Sequence, residues 1–288
     1  MTRTESLGQE HRVRLPAGEV RYFERGSGAP VVFVHGVLTN ARLWRKVVPD
    51  VAAAGFRCLA PDLPLGGHEI PMRPDADLSP AGHADLIADF LDALDLHDVT
   101  LVANDTGGAL TQIMLSRRPE RVGRVVLTPS DCFEYFFPPI FKPLPPLARI
   151  PGSMAVLARL LRIRALYPLP LLFGWVVKRP LPDEVAQAYL APLGRSAGVR
   201  RDLRKFLRQV HPRHTLAAAD VLRTFDRPVL LAWAAEDRLF PIRLAHRLAR
   251  VLPDAKLVEI PDSYTFVSED QPALLARHVV EFAGVMAD

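Results

Sequence analysis

Residues 99–102 are a short apolar strand pattern that runs into Asp105-Thr106-Gly107-Gly108, after which a helical pattern begins at once. A strand that hands over to a helix within so few residues leaves little room for Cβ atoms, which is the room two adjacent glycines supply. The turn projects Asp105 from the carboxyl end of a strand onto the N-terminus of a helix. The unpaired N–H groups there favour negative charge.

The rest of the chain fits this turn. Residues 13–15 and 19–25 flank Pro16-Ala17-Gly18 and predict an opening hairpin. Residues 30–34 and 56–60 read as buried strands, and 99–102, 121–127, 228–233 and 256–260 as further strands. Helical patterns lie between them at 41–53, 80–94 (Ser79 as N-cap, Pro80 in the first turn), 107–117, 242–251 and 272–282. This alternation predicts an α/β class with a mostly parallel sheet and helices on both faces. It breaks off near Thr128. Residues 131–217 begin with the Pro-rich run 136–146 and continue as apolar helical pieces such as 154–161 and 183–190. The expected organisation is a core of 13–130 and 218–288, interrupted by a helical lid at 131–217.

Active-site residues of such a sheet gather at strand carboxyl ends. Three ends matter here. Asp105 is the first. A carboxylate there can displace a leaving group from an sp³ carbon and form an alkyl ester. Attack on an ester or amide would give a mixed anhydride, which argues against lipase, esterase or peptidase chemistry. The second end is His35-Gly36-Val37, where backbone N–H groups of Val37 and Thr106 could stabilise an oxyanion. The third is the turn at 235–241, where Asp237 could orient a base on the next turn, residues 262–266. Helix or turn capping is the structural alternative for both acids.

The whole pattern, over residues 13–285, resembles the α/β-hydrolase superfamily. The stretches Val34-His35-Gly36-Val37-Leu38-Thr39-Asn40, Leu43-Trp44-Arg45 and Ala60-Pro61-Asp62-Leu63, with the Asp105 turn, resemble its haloalkane dehalogenase and epoxide hydrolase branch. The resemblance implies an α/β-hydrolase fold with a helical lid, Asp105 as nucleophile, Val37 and Thr106 as backbone donors and Asp237 as relay acid. It also implies an Asp-x-Gly-His-Phe turn followed by Glu and Pro. Here that turn reads Asp262-Ser263-Tyr264-Thr265-Phe266, with Glu269 and Pro272 in place, so Thr265 occupies the histidine position. The positions at which dehalogenases hold halide through a side-chain N–H are Thr106 and Val37, which offer none. Lid tyrosines of epoxide hydrolases suggest Tyr167 and Tyr189 as substrate-binding candidates, with His35, Phe133 and Phe266. Lid packing accounts for the tyrosines equally well.

Other histidines are candidates for the missing base. His68, His211 and His214 fall on expected loops or lid edges, while His83, His246 and His278 fall on amphipathic helices and are expected to be exposed. Three functions follow: a hydrolase with another base, or with a water held by Thr265 and Asp237; a non-hydrolytic isomerase, lyase or cyclase using Asp105 as acid or base; or a non-catalytic ligand-binding protein. The aromatic and leucine-rich lid predicts a small, largely apolar substrate.

Bulk properties remove other classes. The net charge of +4 over 288 residues is spread along helical segments, without a nucleic-acid-binding module. No metal spacing or cofactor motif is present, so no metal and no cofactor are expected. Cys58 and Cys132 do not form a disulfide framework. The polar residues 1–11 carry no signal-peptide pattern. The longest uncharged apolar run, 165–177, contains Pro168 and Pro170 and is too short for stable membrane insertion. At most, the Arg-bearing stretch 157–166 offers peripheral contact. A cytoplasmic monomer or homodimer is expected.

Overall fold

A computed structural model describes residues 5–284. Eight strands form one sheet in the order β1-β2-β4-β3-β5-β6-β7-β8. They are β1 (Gln9–Leu15), β2 (Gly18–Arg25), β3 (Pro30–Val34), β4 (Arg57–Pro61), β5 (Val99–Asp105), β6 (Val122–Ser130), β7 (Val229–Ala234) and β8 (Ala255–Ile260). β2 pairs antiparallel with β1 and β4, and every pairing from β4 through β8 is parallel. This is the α/β-hydrolase architecture expected from the alternation.

The apolar strand runs lie at the sheet centre. Val31 to Val34 and Val99 to Ala103 are buried on both faces, because helices cover both sides. The hairpin begins at Gln9 rather than at residue 13: β1 pairs Gln9 with Glu24, although its outer residues are exposed and carry no apolar signal. Residues 1–4 lie outside the described residues.

Two local readings change. Residues 41–53 form a 3-10 turn, Ala41–Trp44, and a separate helix, Val48–Ala53, not one helix. The Asn40 side chain caps the first piece by accepting from Arg42 N–H, and Pro49 sits in the first turn of the second. His83 is fully buried, not exposed. It lies within hydrogen-bonding reach of the Ser79 and Pro64 carbonyls and packs on Phe206, and burial pushes its pKa down to about 4.

Between β6 and β7 the chain is helical, with helices at Leu144–Leu147, Ser153–Leu160, Asp183–Arg195, Ala197–Leu207 and Pro212–Val221. The last packs on the helix Thr106–Leu115, which belongs to the sheet domain. The expected lid boundary after residue 217 falls inside this helix.

The loop after β8 is fastened to both layers. Glu269 accepts from Arg45 Nη2 at 2.8 Å and from Tyr189 Oη at 3.2 Å, and Arg45 and Glu269 are almost fully buried. Asp270 accepts from the backbone N–H groups of Lys178 and Tyr264. Removing one partner of a buried ion pair strands the other charge, which typically costs about 3–5 kcal/mol. Arg45→Met leaves Glu269 with Lys46 Nζ, 3.0 Å away, so it is expected to lower stability by up to about 3 kcal/mol, measured as a shift in the urea midpoint.

Candidate active site

Asp105 ends β5 with φ 56° and ψ −134°, a left-handed conformation rare outside glycine. Holding it costs about 1–3 kcal/mol, which the surrounding packing must impose. Three glycines make that packing possible. A Cβ on Gly36 would lie 2.6 Å from Asp105 Cβ, one on Gly107 2.5 Å from the His35 carbonyl oxygen, and one on Gly108 2.1 Å from Ser130 Oγ. The loop after β3, the elbow and the end of β6 are thus in backbone contact.

Asp105, Thr106, Val37 and Phe266 line a cavity of about 410 Å³ between sheet and lid. Its remaining wall is almost wholly apolar and includes Phe137, Leu172 and Phe240. The other substrate-binding candidates fall outside this wall. His35 is buried beneath it, with Nε2 accepting from Leu63 N–H at 2.8 Å, and burial holds the ring neutral with a pKa of about 4. Phe133 is buried under the Arg247 guanidinium, 3.8 Å from the ring centroid. Tyr189 is spent on Glu269, and Tyr167 donates to the Leu161 carbonyl. All four read as plausible lid or turn residues in sequence, but His35, Phe133 and Tyr189 are buried in packing and Tyr167 lines a separate cavity.

Asp237 and Thr265 lie behind the cavity surface. Asp237 Oδ1 accepts from the N–H groups of Leu239 at 2.7 Å and Phe240 at 2.6 Å. Its Oδ2 and the Thr265 hydroxyl are buried and have no hydrogen-bond partner, yet the hydroxyl is near enough to draw the Asp237 pKa down. Asn104 fixes the position of Thr265. Its Nδ2 donates to the Thr265 carbonyl at 2.8 Å and to Thr128 Oγ1 at 2.8 Å, joining β5, β6 and the final turn.

The sequence reading missed a third acid. Asp131 follows β6, is fully buried, and has one carboxyl oxygen without a partner. Thr106 Oγ1 lies 3.0 Å from Asp131 Oδ2 and 3.0 Å from Asp105 Oδ1. The available signal was its place one residue past a buried strand, at the same sheet edge as Asp105.

These acids shift one another. Burial raises the Asp105 pKa to about 6 against the backbone N–H and hydroxyl of Thr106, which lower it. Asp105 is only partly covered, but the space it faces is the apolar cavity. Burial and the Asp105 charge push Asp131 well above the ordinary range. Burial likewise lifts Asp237 to about 7, opposed by the Phe240 and Leu239 N–H groups and aided by the Asp105 charge. With a pKa of about 6, Asp105 is mostly ionised at neutral pH. One hydroxyl proton cannot serve two carboxylates. A protonated Asp131 giving its proton to Thr106 Oγ1, with that hydroxyl donating to Asp105, satisfies all three groups.

Among the described residues no histidine lines the cavity. His68 is buried against Asp202, His211 caps a helix by accepting from Arg213 N–H, and His214 sits beside Arg213. Among the described residues no cluster of His, Cys, Asp and Glu could hold a metal ion.

The model of the alpha/beta hydrolase family matches residues 31–278. The chain belongs to that family. It is homologous to haloalkane dehalogenases: it is 29% identical to Haloalkane dehalogenase 2 of Mycobacterium tuberculosis over 273 residues, 93% of this chain and 92% of that protein. It is 24% identical over 284 residues, 95% of this chain and 88% of the relative, to a cis-3-alkyl-4-alkyloxetan-2-one decarboxylase of Shewanella oneidensis. The crystal structure of haloalkane dehalogenase DatA from Agrobacterium tumefaciens superposes with a TM-score of 0.78 at 26% identity, covering 97% of this chain and 98% of that one. The chain is thus a haloalkane dehalogenase-like α/β hydrolase.

The coupling between carboxyls is open to direct measurement. In Asp105→Asn, loss of the neighbouring charge should lower the Asp237 pKa from about 7. Carbon-13 carboxyl titration by NMR reads this, and an unchanged midpoint would remove Asp105 from the Asp237 environment.

Proposed function

We propose that Asp105 is a nucleophile toward an sp³ carbon of a small, largely apolar substrate, and that Asp237 and Thr265 together replace the absent histidine. The observation that carries this reading is the strained elbow: a mostly ionised carboxylate faces an apolar cavity, with an unpartnered carboxyl oxygen and an unpartnered hydroxyl beside it. An Asp105 oxygen forms the C–O bond while the carbon–leaving-group pair departs with the leaving group. The backbone N–H groups of Val37 and Thr106 then face the ester carbonyl. A water held by Thr265 gives a proton to Asp237 as its oxygen bonds to the ester carbonyl carbon. The tetrahedral intermediate expels the alkoxide, which takes that proton from Asp237 and leaves as the alcohol, and the Asp105 carboxyl loses its remaining proton to solvent. A carboxyl with a pKa of about 7 is suited to a base working near neutral pH.

A second reading is supported by two features. No side-chain N–H lines the elbow side of the cavity to hold a departing halide, since Thr106 and Val37 stand there. A decarboxylase is also among the full-length relatives. Loss of CO2 from an oxetan-2-one leaves an alkene by atom balance and consumes no water, so a lyase on this scaffold needs no water-activating histidine. Its ring substituents would occupy the apolar wall.

The test is incubation with 1-haloalkanes, alkyl epoxides and a cis-3,4-dialkyl-oxetan-2-one, followed by intact-mass and product analysis. The first reading expects an alkyl adduct on Asp105 and slow alcohol release. Thr265→His should accelerate that release by roughly two orders of magnitude, the usual contribution of a placed base. Alkene and CO2 without adduct hydrolysis would select the second reading. No adduct and no product across the panel would leave a ligand-binding protein. Because the nucleophile is the ionised form, adduct formation should fall about tenfold per pH unit below a midpoint near 6. A flat profile between pH 5 and 7 contradicts Asp105 attack.

A further inference from the structure

Between Glu134 and Asp183 the chain carries no Asp or Glu but seven Lys and Arg residues. The same segment holds seven of the nine large hydrophobic residues that are exposed among the described residues, so the apolar exposure belongs to one basic face of the lid. Leu171 is 58% exposed, Ile150 56% and Val156 55%. The helix Ser153–Leu160 shows why. Its inner face, Met154 and Ala158, is buried, while Val156, Leu160 and Ile163 recur on the outer side at helical spacing with Arg159 and Arg162 between them. A helix apolar on both faces is normally covered on both.

We propose that this outer lid face docks on an anionic lipid bilayer, seating its leucine and isoleucine side chains among acyl chains and its arginines among phosphates. Charge complementarity selects this partner. Arg149, Arg159 and Arg162 are exposed and have no acidic partner among the described residues. A second cavity, about 380 Å³, is lined by Arg162, Arg164, Arg195 and Gln187 with no carboxylate, and it suits a phosphate headgroup. The two cavities share Leu161 and Leu190 as a common wall. Leu160, Leu169 and Leu171 are exposed on the outer face and also line the cavity at Asp105. An apolar molecule dissolved in the bilayer thus meets a continuous apolar path to the elbow. Basic residues beside exposed apolar side chains are the combination by which interfacial helices bind anionic membranes without spanning them. No helix among the described residues is long and apolar enough to span. Docking does not depend on what Asp105 does.

The experiment is flotation of the full chain with phosphatidylcholine vesicles, with and without phosphatidylglycerol. Binding should be at least about tenfold stronger to the anionic vesicles and should weaken as salt shortens the Debye length. Val156→Glu with Ile163→Glu, and separately Arg149→Glu with Arg159→Glu, should abolish it, with folding checked by circular dichroism. On the unmodified chain, hydrogen exchange should show new protection across residues 147–171 when anionic vesicles are added. Equal binding to both vesicle types, no binding at low salt, or protection elsewhere would overturn the proposal. So would a dimer in sedimentation equilibrium that the Val156→Glu and Ile163→Glu pair dissolves, because the face would then be covered by a second copy.

Discussion

The backbone contact at the elbow governs the geometry of this molecule. Gly36, Gly107 and Gly108 remove the Cβ atoms that would hold the β3 loop, the Thr106–Leu115 helix and the end of β6 apart. With them removed, Asp105 is driven into a left-handed conformation and stands clear of the sheet. The strain cannot relax locally, because β5 pairs on both sides and its helix is buried along its length. Asn104, next to the elbow, extends the constraint by holding the Thr265 turn.

Electrostatics follows from that geometry. Three carboxyl groups converge at the ends of β5, β6 and β7 with no cation among their hydrogen-bond partners. In a desolvated site such groups cannot all ionise, so their pKa values separate and protons become shared. Asp237, with the Thr265 hydroxyl beside it, is lifted by burial to a pKa of about 7.

The lid has a different logic. The central strands β3 and β5 are buried on both faces, whereas the lid segment presents apolar side chains inward to the cavity and outward to the surface. Among the outward ones lie Arg149, Arg159 and Arg162, which have no acidic partner among the described residues.

The strand positions, the turn at Asp105 and the turn that holds Thr265 were legible in the sequence, because continuous apolar runs, paired glycines and turn residues act locally. The hairpin start at Gln9 and the break at 45–47 were not, since exposed edge residues and a capping Asn40 carry no periodic signal. Asp131 was missed for a related reason: burial and coupling to Asp105 arise only when β5 and β6 align. The same holds for His35, Phe133, Tyr167 and Tyr189, whose residue types suited a site while their side-chain directions did not. Local patterns along the chain were enough to set the α/β scaffold and the carboxylate on its elbow. Which acids lie side by side, and which lid residues stay exposed, emerged with the folded arrangement, because both depend on packing between segments distant along the chain.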